Sequence, residues 1–215
     1  MKKLYIIGSG GFGREVLWLV ERVNNLSKIW EIQGFIDDDK SLCGTIKNNY
    51  KVLGDCDYLG NLNEEVYVVI SIGSPKIKEK IVNKLSKFSN VRFATLIDPS
   101  VLCSEQIKIG EGSIICAGTI ITVNIEIGKH VIINLDCTIG HDAVIEDYAT
   151  ILPSVNLSGN TITKKYATLG TGTQVIQGIT IGENAIVGAG TVVIRDIEDN
   201  VTAVGNPARI RRKGI

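Results

Sequence analysis

The feature that most constrains the fold of this chain is an unbroken repeat of six residues between positions 107 and 196. Fifteen positions six residues apart, from Ile109 to Val193, carry Ile, Leu or Val with the single exception of Thr163. A small or β-branched residue usually stands two positions before each of them, and Gly often stands one position after. An amphipathic strand has a period of two residues and a helix a period of 3.6 residues, so neither produces a strict repeat of six residues.

A period of six predicts a parallel β-helix, in which a short strand points two side chains inward and a corner then turns the chain. Three such edges close one triangular coil, and successive coils stack as parallel ladders around an aliphatic core. An ordinary Ile-rich sheet would not keep its phase through fifteen steps without an insertion. The low aromatic fraction of 6% agrees with a core built from aliphatic rungs.

The residues before the repeat predict a Rossmann-like α/β domain. A strand over residues 3–7 leads into the glycine-rich turn Gly8–Gly13, and a helix over 14–24 follows. Further strands over 30–36 and 66–72 precede a second helix over 76–87. We therefore divide the chain into an α/β domain over residues 1–93 and a β-helix domain over 94–215, the latter ending in a tail that leaves the repeat and covers one open end.

The turns that follow the predicted strands indicate a binding edge. Gly8–Gly13, Asp37 and Gly73 would lie along one edge of a parallel sheet, where ligands of open α/β sheets bind. Strand, glycine turn and helix is the context in which a GxGxxG motif receives a phosphate, although the same glycines also suit plain tight turns. Asp37 stands where an acid would meet a ribose hydroxyl, unless it belongs to a solvated loop. An α/β domain of fewer than about 95 residues is better suited to binding a mononucleotide or a nucleotide sugar than a dinucleotide.

Composition excludes several classes of function. Lys plus Arg and Asp plus Glu balance at 23 each, so nucleic acid is not an expected partner. No apolar run approaches the ~18–20 residues of a membrane span, and the start of the chain is too weakly apolar for a signal peptide. The five cysteines form no CxxC pair, which favours reduced thiols and a cytoplasmic protein.

Two histidines, His130 and His141, fall at corners of the repeat, where side chains point outward. His141 is followed by Asp142, and a carboxylate beside an imidazole fixes its tautomer and raises its basicity, as a general base requires. An exposed histidine is also a common surface residue, and we expect His130 to be one. No metal is expected, because the zinc-bearing relatives of this helix type need three histidines.

The chain as a whole resembles the bacterial sugar acetyltransferases of the PglD/NeuD type. The resemblance covers the hexads, the Gly8–Gly13 loop, the stretch from Gly34 through Asp38, Asn134 placed seven residues before the pair His141-Asp142, and a tail containing Val204 to Arg209. It implies a left-handed β-helix, a homotrimer, and acetyl-CoA bound in the groove between neighbouring helices near the histidine of one of them.

The same resemblance implies roles for individual residues. His141 would be the general base, Asp142 its partner and Asn134 a contact to the acceptor amine. Acetyl-CoA contacts are implied at Thr150, Gly159, Thr171 and Ala189, with the Gly159 N–H directed at the oxyanion; Thr150 stands where some members have a second histidine. Nucleotide and diphosphate contacts are implied at Gly11, Phe12, Asp37 and Gly73.

The resemblance and these features together predict an acetyl-CoA-dependent N-acetyltransferase that acts on a nucleotide-linked amino sugar of the UDP-4-amino-4,6-dideoxy type for a surface glycan. The sequence leaves both uridine and guanosine open as the base of the nucleotide. The alternatives are an O-acetyltransferase acting on sialic acid or another sugar hydroxyl, a non-catalytic β-helix protein that binds nucleotide sugars, and a small NAD-dependent enzyme. The shape of the sugar pocket is not readable from the sequence.

Overall fold

The computed structural model describes residues 1–213, with side chains through Arg211; residues 214 and 215 of the predicted second domain lie outside the described residues. The chain divides into two compact units, one over Met1–Pro99 and the other beginning at Ser100. This division falls six residues later than the boundary that the sequence predicts between residues 93 and 94.

The first unit is a mainly parallel sheet with helices, as predicted. Its elements are β1 (Lys2–Ile7), α1 (Gly11–Leu26), β2 (Trp30–Ile36), a 3-10 turn (Lys40–Leu42), β3 (Ile46–Lys47), β4 (Tyr50–Gly54), α2 (Cys56–Gly60), β5 (Val66–Ile70), α3 (Pro75–Leu85), β6 (Val91–Phe93) and β7 (Leu96–Ile97). The six-stranded sheet has the order β3-β4-β2-β1-β5-β6, and only the β3–β4 hairpin is antiparallel. The ends of β1, β2 and β4 are therefore neighbours at one edge of the sheet.

Burial in the first unit follows from its sequence pattern. Strands that are covered on both faces read as continuous apolar runs, and Leu4, Ile6 and Phe35 are completely buried. Helix α1 buries Val16 and Val20 on one face. The sequence analysis missed the β3–β4 hairpin and α2, because two-residue and five-residue elements carry too little periodicity to be recognised.

The second unit is the predicted β-helix. Its strands are β8 (Leu102–Cys103), β9 (Ile107–Ile109), β10 (Ile114–Ile115), β11 (Ile120–Ile121), β12 (Ile125–Ile127), β13 (Ile132–Ile133), β14 (Thr138–Ile139), β15 (Val144–Ile145), β16 (Thr150–Ile151), β17 (Asn156–Leu157), β18 (Ile162–Thr163), β19 (Thr168–Leu169), β20 (Gln174–Val175), β21 (Thr180–Ile181), β22 (Ile186–Val187), β23 (Val192–Val193), β24 (Val201–Val204) and β25 (Arg209–Lys213). Strands β8–β24 form three faces of parallel strands: the first contains β13 and β16, the second β14 and β17, and the third β15 and β18.

Each coil of the β-helix takes 18 residues, so Ile133 pairs with Ile115 below it and Ile151 above it. The predicted inward positions are buried from Ile115 to Val193, including Thr163. Small side chains two positions earlier fit inside the corners, where Ser113 Oγ lies 2.9 Å from the carbonyl of Gly128. The sixfold repeat therefore specifies the core.

The corners have a periodicity of their own. A residue with positive φ recurs every six positions, for example Asn124 at 55°, Asp142 at 58° and Tyr148 at 62°. The left-handed conformation turns the chain between faces, and Asn and Asp adopt it more readily than bulky residues do. Beyond the hexads, β24 and β25 form a hairpin that extends the first face, so the tail joins the sheet after it leaves the repeat.

Candidate active site

The His141 edge is the corner between the second and third faces, and its successive coils contribute Val123–Asn124, His141–Asp142, Gly159–Asn160 and Gln177–Gly178. There, Nδ1 of His141 lies 2.8 Å from Oδ2 of Asp142, and the two side chains are 50% and 45% exposed. Side chains of adjacent residues point apart along a strand. The left-handed corner at Asp142 brings these two together. With the Nδ1 proton donated to the carboxylate, Nε2 keeps a lone pair for a proton from a substrate.

The second oxygen of the Asp142 carboxylate also has a partner. Asn124, one coil earlier on the His141 edge, donates from Nδ2 to Oδ1 of Asp142 over 3.2 Å. Two hydrogen bonds lower the pKa of Asp142 from its usual value. The one with His141 has the larger effect, and the one from Asn124 comes second. Asp142 is therefore a carboxylate at neutral pH, as a partner for an imidazolium requires.

Gly159 makes room for the imidazole. A Cβ atom built on Gly159 would lie 2.5 Å from Cε1 and 2.8 Å from Cδ2 of His141, and closer still to Nε2. The histidine ring therefore covers the Cα of Gly159, and any larger residue would displace it. Nε2 is the ring atom of His141 that lies nearest to this Cβ position.

The other residues predicted for the β-helix site lie on a second corner of the β-helix and on the face beside it. The Asn134 edge is the corner between the first and second faces, with Asn134–Leu135, Leu152–Pro153, Gly170–Thr171 and Gly188–Ala189 in successive coils. Thr150 lies on the adjoining first face, in β16, and is 1% exposed. Asn134 is 8% exposed, and its Oδ1 accepts a hydrogen bond of 2.7 Å from the N–H of Leu135. Within one chain, the structure groups His141, Asp142 and Gly159 on one edge and Asn134, Thr171 and Ala189 on another.

The prediction that His130 is a surface residue was wrong. His130 is 3% exposed, and its ring stacks on Tyr148 at 5.3 Å between centroids. Tyr148 stacks in turn on Tyr166, 18 residues later, at 5.5 Å. Corner side chains do point outward, but in this corner the flat rings of successive coils cover one another. The two histidines therefore differ because of their neighbours one coil away.

In the first unit, the predicted nucleotide residues surround the ends of β1 and β2. Gly11 is the first residue of α1, Phe12 is half-buried, and Gly73 follows β5. Asp37 Oδ2 accepts hydrogen bonds from the Ser9 N–H (2.9 Å) and the Ser9 hydroxyl (2.8 Å). Asp37 thus anchors the glycine-rich turn directly, a contact that the sequence analysis did not anticipate.

A pocket of about 400 Å³ adjoins Asp37. It arises because β4 lies next to β2, so that the start of α2 faces the carboxylate across the ends of the two strands. The signal for this pocket in the sequence is the short strand β4 followed by Asp55, which caps α2 by accepting from the N–H of Asp57. The other lining residues are Lys40, Cys43, Gly54, Tyr58 and Asn61.

Comparison with known proteins agrees with this architecture. The model of the PglD N-terminal domain family matches residues 3–85. The structure of WeeI from Acinetobacter baumannii AYE is 35% identical, with a TM-score of 0.88 over 98% of this chain and 100% of that chain. The chain belongs to the PglD/NeuD-type family of bacterial sugar acetyltransferases. Members of this family are acetyl-CoA-dependent enzymes with a left-handed β-helix.

Several relatives of this chain are known by their activity or by a bound ligand. GDP-perosamine N-acetyltransferase from Escherichia coli O157:H7 is 28% identical over 155 residues, which are 72% of this chain and 69% of that protein. A histidine-to-asparagine variant of perosamine N-acetyltransferase from Caulobacter crescentus, in complex with CoA and GDP-perosamine, has a TM-score of 0.90 and 29% identity over 99% of this chain and 98% of that one. The acetyltransferase domain of PglB from Neisseria gonorrhoeae FA1090, in complex with acetyl coenzyme A, has a TM-score of 0.87 and 28% identity over 98% and 99%.

Within residues 1–213, no three His, Cys, Asp or Glu side chains converge as a metal site would require. No helix in that range is both long and apolar enough to cross a membrane.

Proposed function

We propose that this protein transfers the acetyl group of acetyl-CoA to the amine of a nucleotide-linked amino sugar. The single observation that carries the proposal is the His141–Asp142 pair, which sits on an outward corner of a β-helix. The chain that holds this pair matches, from end to end, an N-acetyltransferase bound to CoA and GDP-perosamine.

In the proposed reaction, Nε2 of His141 takes a proton from the amine while the amine nitrogen attacks the thioester carbon. The new carbon–nitrogen bond forms, the carbon–sulfur bond breaks, and the proton passes to the departing sulfur, so that CoA leaves as a thiol. Proton transfer by a positioned base is worth roughly 10²–10⁴-fold. Asp142 balances the imidazolium that forms, and the nearby Gly159 N–H is our candidate donor to the thioester oxygen as negative charge develops there.

The separation of the two edges supports the proposal of a homotrimer. His141 and Gly159 lie on one edge of the prism, whereas Asn134, Thr171 and Ala189 lie on another. If all of them contact the same two substrates, the His141 edge of one copy must face the Asn134 edge of a second. A closed ring of three copies would form three equivalent grooves of this kind.

The first unit is our candidate for holding the nucleotide. Helix α1 has sixteen residues, and its N-cap residue, Gly10, has no side chain to cap the first turn, so we expect the first N–H groups to be available to a diphosphate. Asp37 and the adjoining pocket of about 400 Å³ would then receive the ribose and the base. Since two relatives are GDP-perosamine enzymes, we place a GDP-linked amino sugar ahead of the UDP-linked sugar that the sequence analysis favoured.

The test is to incubate the full chain with acetyl-CoA and, separately, with GDP- and UDP-linked 4-amino-4,6-dideoxy sugars and with free sialic acid. We expect free CoA together with a product that gains one acetyl group and resists mild hydroxylamine, as an amide does and an ester does not. The His141→Asn variant should bind acetyl-CoA normally and lose roughly 10²–10⁴-fold in kcat. Acetylation of sialic acid alone, or near wild-type turnover by His141→Asn, would contradict the proposal.

A further inference from the structure

Asn124 lies one coil before the proposed catalytic pair of His141 and Asp142 and contacts Asp142. Its Nδ2 donates to Oδ1 of Asp142 over 3.2 Å, while Oδ2 of the same carboxylate lies 2.8 Å from Nδ1 of His141. The three side chains form a continuous series from one coil of the His141 edge to the next. The sequence analysis gave Asn124 no role, because it lies 17 residues before His141 and only the stacking of coils brings the two together.

We propose that Asn124 is a positioning residue that holds the Asp142 carboxylate, and through it the His141 ring, in the orientation that proton transfer needs. This role rests on the proposed function, since it presupposes His141 as the base. Asn124 does not itself touch the reacting atoms; it acts through Asp142.

The need for such an anchor follows from exposure. His141 and Asp142 are 50% and 45% exposed, so packing alone does not restrict their rotamers. An exposed carboxylate held at only one oxygen can rotate or turn to water, and its partner imidazole then loses its orientation. Because the Nδ2 group of Asn124 can only donate, it fixes Oδ1 and leaves Oδ2 directed at the imidazole.

The competing explanation is that Asn124 merely suits the left-handed corner, where its φ is 55°. The His141 edge itself argues against this explanation. Gly178 occupies the equivalent position three coils later with a φ of 78° and has no side chain. The turn therefore does not require an amide. The chain also offers a matched control in Asn184, which has a φ of 56° and donates from Nδ2 to Asn200 Oδ1 over 3.0 Å on a different edge.

The experiment compares Asn124→Gly with Asn184→Gly in the full chain. Glycine adopts positive φ readily, so both variants should fold with closely similar melting temperatures. We expect Asn124→Gly to lower kcat about tenfold and to leave KM for acetyl-CoA within about twofold, because orientation is lost while binding is kept. Asn184→Gly should retain wild-type kcat. An Asn124→Gly variant that turns over at the wild-type rate, or that changes only KM, would overturn the positioning role.

A second variant, Asn124→Asp, keeps the shape but replaces a donor with an acceptor. Two carboxylates that face each other share a proton more readily as the pH falls, and the protonated one becomes a donor again. The kcat of Asn124→Asp relative to wild type should therefore be lowest near pH 8 and should rise toward pH 6. A ratio that stays constant with pH would contradict the role. If the wild type transfers no acetyl group, or His141→Asn is fully active, it is the proposed function that fails, a result distinct from a failure of Asn124 alone.

Discussion

Replacement of Gly159 by alanine is the most direct test of the geometry around His141. The φ of Gly159 lies outside the left-handed region, so alanine is compatible with the backbone. The new methyl group, however, would lie 2.5 Å from Cε1 and 2.8 Å from Cδ2 of the imidazole, where an ordinary contact is 3.4–4 Å. Because His141 is half exposed, its ring can swing outward instead of straining the core.

The magnitude follows from that overlap. Restoring an ordinary contact requires the ring to move by about 1 Å, and a misplacement of that size costs on the order of 10²-fold in rate, or about 2.7 kcal/mol in the activation barrier. Folding should change little, because at a compatible position alanine stabilises a chain by only about 0.4–1 kcal/mol through its unfolded state. We therefore expect Gly159→Ala to lose about 10²-fold in kcat with an almost unchanged melting temperature.

The assay is the rate of CoA release with the amino-sugar substrate, measured for Gly159→Ala, His141→Asn and the double variant. If the methyl group acts by displacing the ring, the two losses cannot add, and the double variant should be no slower than His141→Asn. Wild-type kcat in Gly159→Ala, or fully additive losses in the double variant, would refute the reasoning.

The remaining predictions concern the core and the nucleotide turn. Thr163 is completely buried and its hydroxyl has no hydrogen-bond partner among the described residues, so Thr163→Val should raise the free energy of unfolding by about 1–2 kcal/mol in urea titrations. Thr173 is equally buried but donates to the carbonyl of Gly170 over 2.7 Å, so Thr173→Val should lower that free energy by about 1 kcal/mol; the same sign for both variants would contradict this account. A Cβ on Gly13 would overlap the backbone carbonyl oxygen of Gly8, so Gly13→Ala should raise the Kd for a GDP- or UDP-sugar at least tenfold in calorimetry while acetyl-CoA affinity is kept. Asp37→Ala frees the Ser9 turn and should raise the same Kd, and an unchanged Kd would separate Asp37 from nucleotide binding.

Much of the β-helix was predictable because each rung needs only its neighbours to be buried. The sixfold spacing alone identified the inward residues, and it placed Thr163 in the core although a hydroxyl gains nothing there. Strands β1, β2 and β5 of the first unit were predicted nearly as observed, since strands buried on both faces are continuous apolar runs. The β3–β4 hairpin and the pocket beside Asp37 were missed, because two-residue strands have no measurable period.

The two histidines separate what the sequence determined from what the tertiary structure decided. The repeat by itself put both His130 and His141 at corners. Whether a corner side chain is covered depends on residues one coil away: Tyr148 stacks on His130, while Gly159, which has no side chain, leaves His141 half-exposed. The hydrogen bond from Asn124 to Asp142 likewise joins residues 18 positions apart. The local periodicity determined the β-helix, because the apolar contacts that stabilise its core form between consecutive coils. The site was decided by stacking, since only a formed coil brings residues so distant along the chain into contact.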